Sequence, residues 1–377
     1  MGKSASGHLL GGLTATAFVA RHWQKTPLLV RGAMPGFTGI ATRDELFALA
    51  GRDDVASRLV RKVGAGYSLE HGPFSSARLA RLPRRDFSLL VQGVNLHSDA
   101  ADALLRRFAF IPYARLDDVM VSYAAPGGGV GPHVDSYDVF LLQGSGRRRW
   151  RYGRQDDLSI RRNLPLKILQ RFEPTHDATL APGDMLYLPP HIAHDGTAVD
   201  ECMTYSIGFR APLYQEVVEA FIDHLRDSVV VDGRYADPEL RATARPGRID
   251  AALQRKLAGA IAQWRFDKKE IARFIGCFLT EPKPDVVFAA PARASRQRFA
   301  SRGEGSGLRL DRRTQLLYDD ERYYLNGDDA VLADAHRVAV QRLSDHRMLS
   351  RSDFAALSPA TLDLLYDWYR HGYLRHA

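Results

Sequence analysis

The chain has 377 residues, enough for two or three domains with a sizeable buried core, and it is 45% hydrophobic, 10% aromatic and 25% charged, as globular proteins are. The net charge of +8, from 52 basic and 44 acidic residues, is compatible with a nucleic-acid or ribonucleoprotein partner but does not identify one. Its two cysteines, Cys202 and Cys277, form no C-x-x-C pair, which argues against a zinc finger, a redox pair or a disulfide scaffold and points to a reducing cytoplasm.

In chain order, Lys3 followed by apolar Leu9–Ala20 mimics a weak signal peptide, but the stretch runs straight on into Arg21-His-Trp-Gln-Lys. Gly11-Gly12-Leu13-Thr14 is better read as a turn and N-cap before a short helix. No apolar run approaches the ~18 residues of a membrane span. A short strand is expected at Pro27–Arg31, then a helix from Thr42 with a capping signature, strands at Ser57–Lys62, Tyr67–Glu70 and Phe87–Gly93, and a helix over Ala100–Phe110.

From Asp117 the texture turns to short strands between Gly and Pro turns: Val119–Ala124, His133–Asp135, Tyr137–Gln143, Arg148–Tyr152, Lys167–Phe172, Ala178–Leu180, Asp184–Leu188 and Met203–Phe209. Such spacing predicts a sandwich or barrel. Helices follow over Tyr214–Val231 and Ile249–Thr280, the latter with Leu253, Leu257, Ile261 and Trp264 at helical spacing. Residues 291–307 read as a basic linker. A hairpin (Gln315–Asp319, Arg322–Leu325) and helices at Ala330–Ser344, Ser350–Ala356 and Ser358–His371 close the chain.

The chemistry concentrates in Gly127-Gly-Gly-Val-Gly-Pro-His133-Val-Asp135. In extended backbone, residues two apart share a face, so His133 and Asp135 can grip one ion. His-x-Asp alone arises often by chance, and most of the 13 histidines should have structural or surface roles. His194 supplies the strongest third ligand, because it enters a strand after a Pro-Pro stop; His191, on the turn itself, is its rival. Two histidines and a carboxylate would form a facial triad with open positions, unlike a closed four-ligand structural zinc site.

Pro-Gly-Gly-Gly-Val-Gly-Pro-His-x-Asp-x-Tyr-Asp-Val-Phe, with Gln-Gly-x-Gly-Arg-Arg-Arg-Trp, closely resembles the bacterial ribosomal oxygenases of the JmjC cupin family. Leu10-Gly-Gly-Leu with Arg21-His-Trp-Gln-Lys-x-Pro-Leu-Leu-Val-Arg-Gly resembles that family's N-terminus. The resemblance implies an α+β chain: a double-stranded β-helix (jelly-roll, cupin/JmjC) core with an N-terminal α/β cover in residues 1–212, a helical dimerisation region in 213–285 and a winged-helix-like domain in 286–377. It also implies Fe(II) on His133, Asp135 and His194, with 2-oxoglutarate and O2 as cosubstrates. The basic anchor for 2-oxoglutarate falls on Arg148, whose fork suits a carboxylate. Ser122 is a candidate second contact or simply a serine satisfied within its strand. Arg147 and Arg149 should face the other way.

The activity implied is hydroxylation of an arginine side chain in a large-subunit ribosomal protein, forming succinate and CO2. The alternatives are a JmjC histidyl hydroxylase or N-methyl demethylase, and a non-catalytic cupin or DNA-binding regulator. Asp138 and Asp195 are candidate partners for a metal ligand or a cationic substrate, or ordinary strand-end aspartates. Residues 290–377 hold 14 arginines against 12 acidic residues, too even a balance for a DNA reader, so protein contact is expected there instead. Arginines 147–151 and 161–162 either face ribosomal RNA or solvate a rim. A homodimer, a cytoplasmic location and no membrane contact complete the expectations.

Overall fold

The structure, a computed structural model, describes residues 6–64, 66–228, 230–262, 267–292 and 295–377. The expectations placed on Lys3 and Trp264 fall outside these residues. The chain divides into two compact units, residues 1–211 with 283–289 and 311–313, and the remainder. Among the described residues no helix is long and apolar enough to cross a membrane.

The first unit carries eleven strands: β1 (Leu28–Val30), β2 (Ser57–Val63), β3 (Gly66–His71), β4 (Phe87–Val91), β5 (Leu116–Ala124), β6 (Val139–Gln143), β7 (Arg148–Gly153), β8 (His176–Leu180), β9 (Met185–Leu188), β10 (Ala193–Ala198) and β11 (Cys202–Phe209). One antiparallel sheet has the order β1-β9-β6-β11-β5-β4-β2-β3, and a second the order β10-β7-β8. This pairing of a large and a small antiparallel sheet is the jelly-roll expected.

Strand β6 shows why its sequence is apolar throughout. Val139 and Leu141 pack between the sheets with Trp150, Tyr152, Leu180 and Leu186. Phe140 and Leu142 point the other way, into a core completed by residues of α2 (Ala15–Arg21), α3 (Arg43–Ala50) and α5 (Asp99–Arg106). Two burial faces remove the polar alternation expected of a half-exposed strand. The helix starts follow their caps: Thr14 accepts from Ala17 N–H, and Thr42 with Glu45 forms a reciprocal capping box. Two further short helices, α1 (Ser6–Leu9) and α4 (Ser76–Ala80), complete the cover.

The second unit holds α6 (Tyr214–Ser228), α7 (Ala251–Ile261), α8 (Lys268–Thr280), α9 (Arg296–Ser306), α10 (Asp334–His346), α11 (Arg351–Ala355) and α12 (Pro359–Arg370). Its strands are β12 (Leu308–Leu310), β13 (Leu316–Tyr318), β14 (Arg322–Leu325), β15 (Asp328–Val331), β16 (Met348–Leu349) and β17 (Leu374–His376), in two three-stranded sheets.

Three expectations are corrected. Residues 291–307 are not a linker: Ser295 caps α9, Phe299 is buried, and Gly303 lets the Phe354 ring approach to 2.2 Å of where a Cβ would stand. Of the glycines that suggested a loop, Gly303 serves close packing and Gly307, at φ +79°, ends the helix. Lys167–Phe172 is not a strand but part of a long excursion between β7 and β8, joined only through an isolated bridge, Ile160 with Leu169. His133–Asp135 likewise lies outside the sheets, and His133 forms an isolated bridge with His194.

Candidate active site

His133 and His194 exchange backbone hydrogen bonds, His133 N–H to His194 C=O at 3.0 Å and His194 N–H to His133 C=O at 2.9 Å. This small ladder does the work expected of a strand and sets the imidazoles side by side, ring centroids 4.2 Å apart. One ligand atom from each of His133, Asp135 and His194 lies within 4.8 Å of the others. Asp135 oxygens stand 3.9 Å from His133 Nε2 and 3.6 Å from His194 Nε2.

The tautomers follow from the neighbours. His133 Nδ1 lies 2.8 Å from Gly131 C=O, and His194 Nδ1 lies 2.9 Å from Ile192 C=O. A carbonyl only accepts, so each Nδ1 carries the proton and each Nε2 presents a lone pair to Asp135. Burial first, and His133 second, hold the His194 imidazolium disfavoured, which keeps that lone pair available. Two neutral nitrogens and a carboxylate on one point are a donor set for a divalent cation, and they leave the opposite hemisphere open. His191 does not compete: it is exposed, in a left-handed turn conformation (φ 63°), with its N–H donating to Asp135 C=O.

The glycine turn is required sterically. Gly129 passes so near β10 that a Cβ would lie 2.5 Å from Gly196 C=O. Gly131 has φ +78°, and a Cβ there would meet Ile168 and Tyr67 within 3 Å.

A cavity of about 730 Å3 opens from the His-Asp-His cluster. In it Arg148 is only 3% exposed. Its Nη1 donates to Ser122 Oγ at 2.9 Å and lies 3.5 Å from Thr204 Oγ1, while Nη2 donates to Gly196 C=O at 3.2 Å. Its buried Nε has no partner, no carboxylate stands within ion-pairing distance among the described residues, and burial opposes its charge. Trp150, with its guanidinium 5.2 Å away, offers a second unpartnered buried donor, Nε1. Gly196 makes room for both, since a Cβ there would fall 2.6 Å from the indole and 2.9 Å from Arg148 Nε. Arg147 and Arg149 face outward to Asp200 and Asp177, as the alternation along β7 predicts.

Neither Asp138 nor Asp195 lines the cavity. Asp138 is fully buried, accepting from Tyr187 O–H at 2.6 Å and Gln24 Nε2 at 2.9 Å, and Asp195 pairs with Arg151 at 2.6 Å. Both are committed to the scaffold. Of the carboxylates that line the cavity beside Asp135, the most buried is one the sequence reading passed over, Asp118, which shares the inward face of β5 with Met120 and Ser122. It is 9% exposed, accepts Gly93 N–H at 2.8 Å and has Lys283 Nζ 4.0 Å away. Burial raises its carboxyl pKa, with Lys283 opposing. The signal was available: counting back two and four residues from Ser122 reaches Met120 and Asp118.

The two facing sheets, the open three-residue cluster and the buried unpaired cation define a JmjC-type cupin site. A JmjC domain matches residues 103–217 and a ROXA-like winged helix residues 263–375. The chain is 34% identical to the ribosomal protein uL16 3-hydroxylase of Escherichia coli, covering 94% of this chain and 96% of that one. It is 32% identical to a probable ribosomal oxygenase of Haemophilus influenzae, covering 93% and 91%. The solved structure of the E. coli ribosomal oxygenase YcfD in complex with cobalt and 2-oxoglutarate superposes with a TM-score of 0.81 at 32% identity, covering 96% of this chain and 98% of that one. This chain belongs to the JmjC-domain ribosomal oxygenase family.

Proposed function

We propose that the chain is an Fe(II)- and 2-oxoglutarate-dependent hydroxylase acting in the cytoplasm on an arginine side chain of a large-subunit ribosomal protein. The observation that carries this reading is Arg148, a buried guanidinium with an idle Nε–H and no anion of its own. Such a cation is costly unless a carboxylate joins it, and the far carboxylate of 2-oxoglutarate supplies one. His133, Asp135 and His194 hold the metal. One carboxylate ligand, a dicarboxylate cosubstrate, a divalent cation and one arginine leave the filled site neutral, as burial demands. The related structure with cobalt and 2-oxoglutarate supports the same assignment.

When bound, iron and 2-oxoglutarate supply oxygen activation, with succinate and CO2 as coproducts. The chain's own residues orient and exclude. The Gly131 and Ile192 carbonyls fix the imidazole tautomers, Ser122 and Thr204 steady the Arg148 fork, and Trp150 walls that end from water. Asp118 is the seat for the substrate guanidinium, which favours arginine over a neutral imidazole. Succinate release requiring both Fe(II) and a ribosomal-protein peptide tests the chemistry. Intact-mass analysis of ribosomal proteins from cells with and without the enzyme tests the target: one gains an oxygen atom, and no gain in any of them sinks the reading.

Asp118→Asn should raise the KM for an arginine peptide by about 30-fold, the ~2 kcal/mol scale of a lost buried charge pair, with the cosubstrate KM unchanged. The same change should stabilise the substrate-free protein at neutral pH. A carboxyl whose folded pKa is raised destabilises the fold above its unfolded pKa, and that penalty is complete only above the folded pKa. The melting-temperature gain of the variant should therefore shrink as pH falls toward about 4.

Helix α6 supports a homodimer. Tyr214, Val218 and Ile222 form an i, i+4, i+8 stripe with exposures of 92%, 51% and 53%. Val218→Glu with Ile222→Glu should convert a dimer to a monomer in light scattering; an unchanged mass would place the interface elsewhere.

A further inference from the structure

Three separate segments of the first unit bring cations to one edge of the cavity mouth. On β2, Arg58 and Val60 line the cavity, so Lys62 continues the same face toward the rim. Its N–H donates to Asp86 C=O at 2.8 Å, which draws Arg84 and Arg85 alongside. The excursion between β7 and β8 docks at the same place. Leu164 lies against Gly66, Ile168 packs with Tyr67 over Gly131, and Leu169 N–H donates to Pro132 C=O at 2.8 Å. That excursion contributes Arg161 and Arg162, and Tyr67, the cross-strand neighbour of Lys62, lies within electrostatic reach of Arg161.

Lys62, Arg84, Arg85, Arg161 and Arg162 are all exposed. Among the described residues Lys62, Arg84, Arg85 and Arg162 have no carboxylate within ion-pair distance. The arginine run at the start of β7 behaves otherwise: Arg147, Arg149 and Arg151 each have an aspartate. Of the nearby acids, Asp195, whose charge reaches Tyr67 ahead of that of Arg161, is held by Arg151; the Asp86 carboxylate lies against Gly127, Asp157 accepts from Ser159 N–H, and Asp156 is exposed on the excursion. Across the mouth, Asp54, Asp117, Asp118 and Asp285 line the cavity together with cations that have acidic partners: Arg52 pairs with Asp54, Lys283 with Asp117, Arg312 with Asp99 and Arg313 with Asp311. Charge on that side is thus matched, whereas among the described residues Lys62, Arg84, Arg85 and Arg162 have no acidic partner.

We propose that this basic edge, with the half-buried Tyr67 among its cations, is a contact for an RNA phosphate backbone flanking the substrate segment. This rests on the reading of the substrate as a ribosomal protein. A cationic substrate segment seated on Asp118 is repelled by this edge. What suits Lys62, Arg84, Arg85 and Arg162, unpaired among the described residues, beside an aromatic ring is a polyanion with stackable bases.

The test uses the full chain and a fluorescent single-stranded RNA of about 20 nucleotides, followed by anisotropy across a salt series. Lys62→Glu/Arg84→Glu/Arg162→Glu should weaken binding at least ~10-fold and reduce the slope of log Kd against log salt by about 2, the release expected from three phosphate contacts. Hydroxylation of an isolated substrate peptide and the melting temperature should stay as in the parent. Unaltered RNA binding by the triple variant overturns the proposal, as does binding of poly-glutamate as tight as that of RNA, which would assign the edge to an acidic protein. RNA affinity is read without turnover, so a chain that hydroxylates no ribosomal protein yet loses RNA binding in the variant refutes the activity and keeps the contact.

Discussion

Asp135→Ala and His194→Ala should each abolish turnover and lower metal affinity by well over ~100-fold, since even the loss of a group that only orients a metal ligand costs 10- to 100-fold. Co(II) added to the parent should give a visible d–d spectrum that either variant loses, and titration of that band gives the affinity directly. The two variants should differ in stability. His194 is 3% exposed and its N–H and C=O complete the bridge to His133, so removing its ring leaves a void beside Trp150. A loss of about 2–4 kcal/mol is expected, as for other large-to-small changes at buried sites. Asp135 is partly exposed and touches the cluster only through its carboxylate, so Asp135→Ala should fold like the parent. His191→Ala should leave metal affinity untouched. A His191→Ala enzyme that loses the cobalt band, or an Asp135→Ala enzyme that retains it, would refute the assignment.

How much of this was legible in the sequence depended on whether a residue's neighbours were local. The helix caps at Thr14 and Thr42 were, because a cap is decided within four residues. The inward and outward arginines of β7 were too, because alternation along a strand is local. The α9 helix was hidden because Gly303 answers to Phe354, more than forty residues away, and a glycine kept for close approach looks in sequence like one kept for a turn. The Lys167–Phe172 segment has the apolar content of a strand, but what buries Ile168 is Tyr67 and the glycine turn, so no ladder forms. In the site, His133, Asp135 and His194 could be named from their residue types and spacing, whereas Arg148, one of several arginines in a run, was named only by the family resemblance. Asp118 was missed because an aspartate beside another aspartate at the start of a strand reads as solvated, and only the folded sheets show that this one is buried at the cavity while Asp117 stays partly exposed at its wall. Asp138 and Asp195 were candidates for proximity in sequence alone; Tyr187 and Arg151, which occupy them, arrive from other strands, and Gln24 from the turn after α2.

Arg148→Met should separate binding from folding. Without ligand, the variant should melt at or above the parent temperature, because replacing a buried cation that lacks a counter-ion by an apolar chain of similar length removes a desolvation cost. With saturating 2-oxoglutarate and a redox-inert divalent metal, the parent should gain melting temperature and the variant should gain little, since stabilisation follows the occupancy of the native site. Loss of one partner from a buried charge pair costs about 2–5 kcal/mol, so the dissociation constant for 2-oxoglutarate should rise roughly 30- to 4,000-fold. Arg148→Lys should fall between: it restores the charge but not the fork that reaches Ser122 Oγ, Gly196 C=O and the incoming carboxylate together. Ser122→Ala should act through the same guanidinium, weakening the cosubstrate a few-fold by leaving Nη1 without its 2.9 Å acceptor. The pattern to look for is opposite signs in one variant, a more stable empty protein and a cosubstrate that no longer stabilises it. If Arg148→Met instead melts far below the parent without ligand, the guanidinium is a structural cation and the seat of the dicarboxylate lies elsewhere in the cavity.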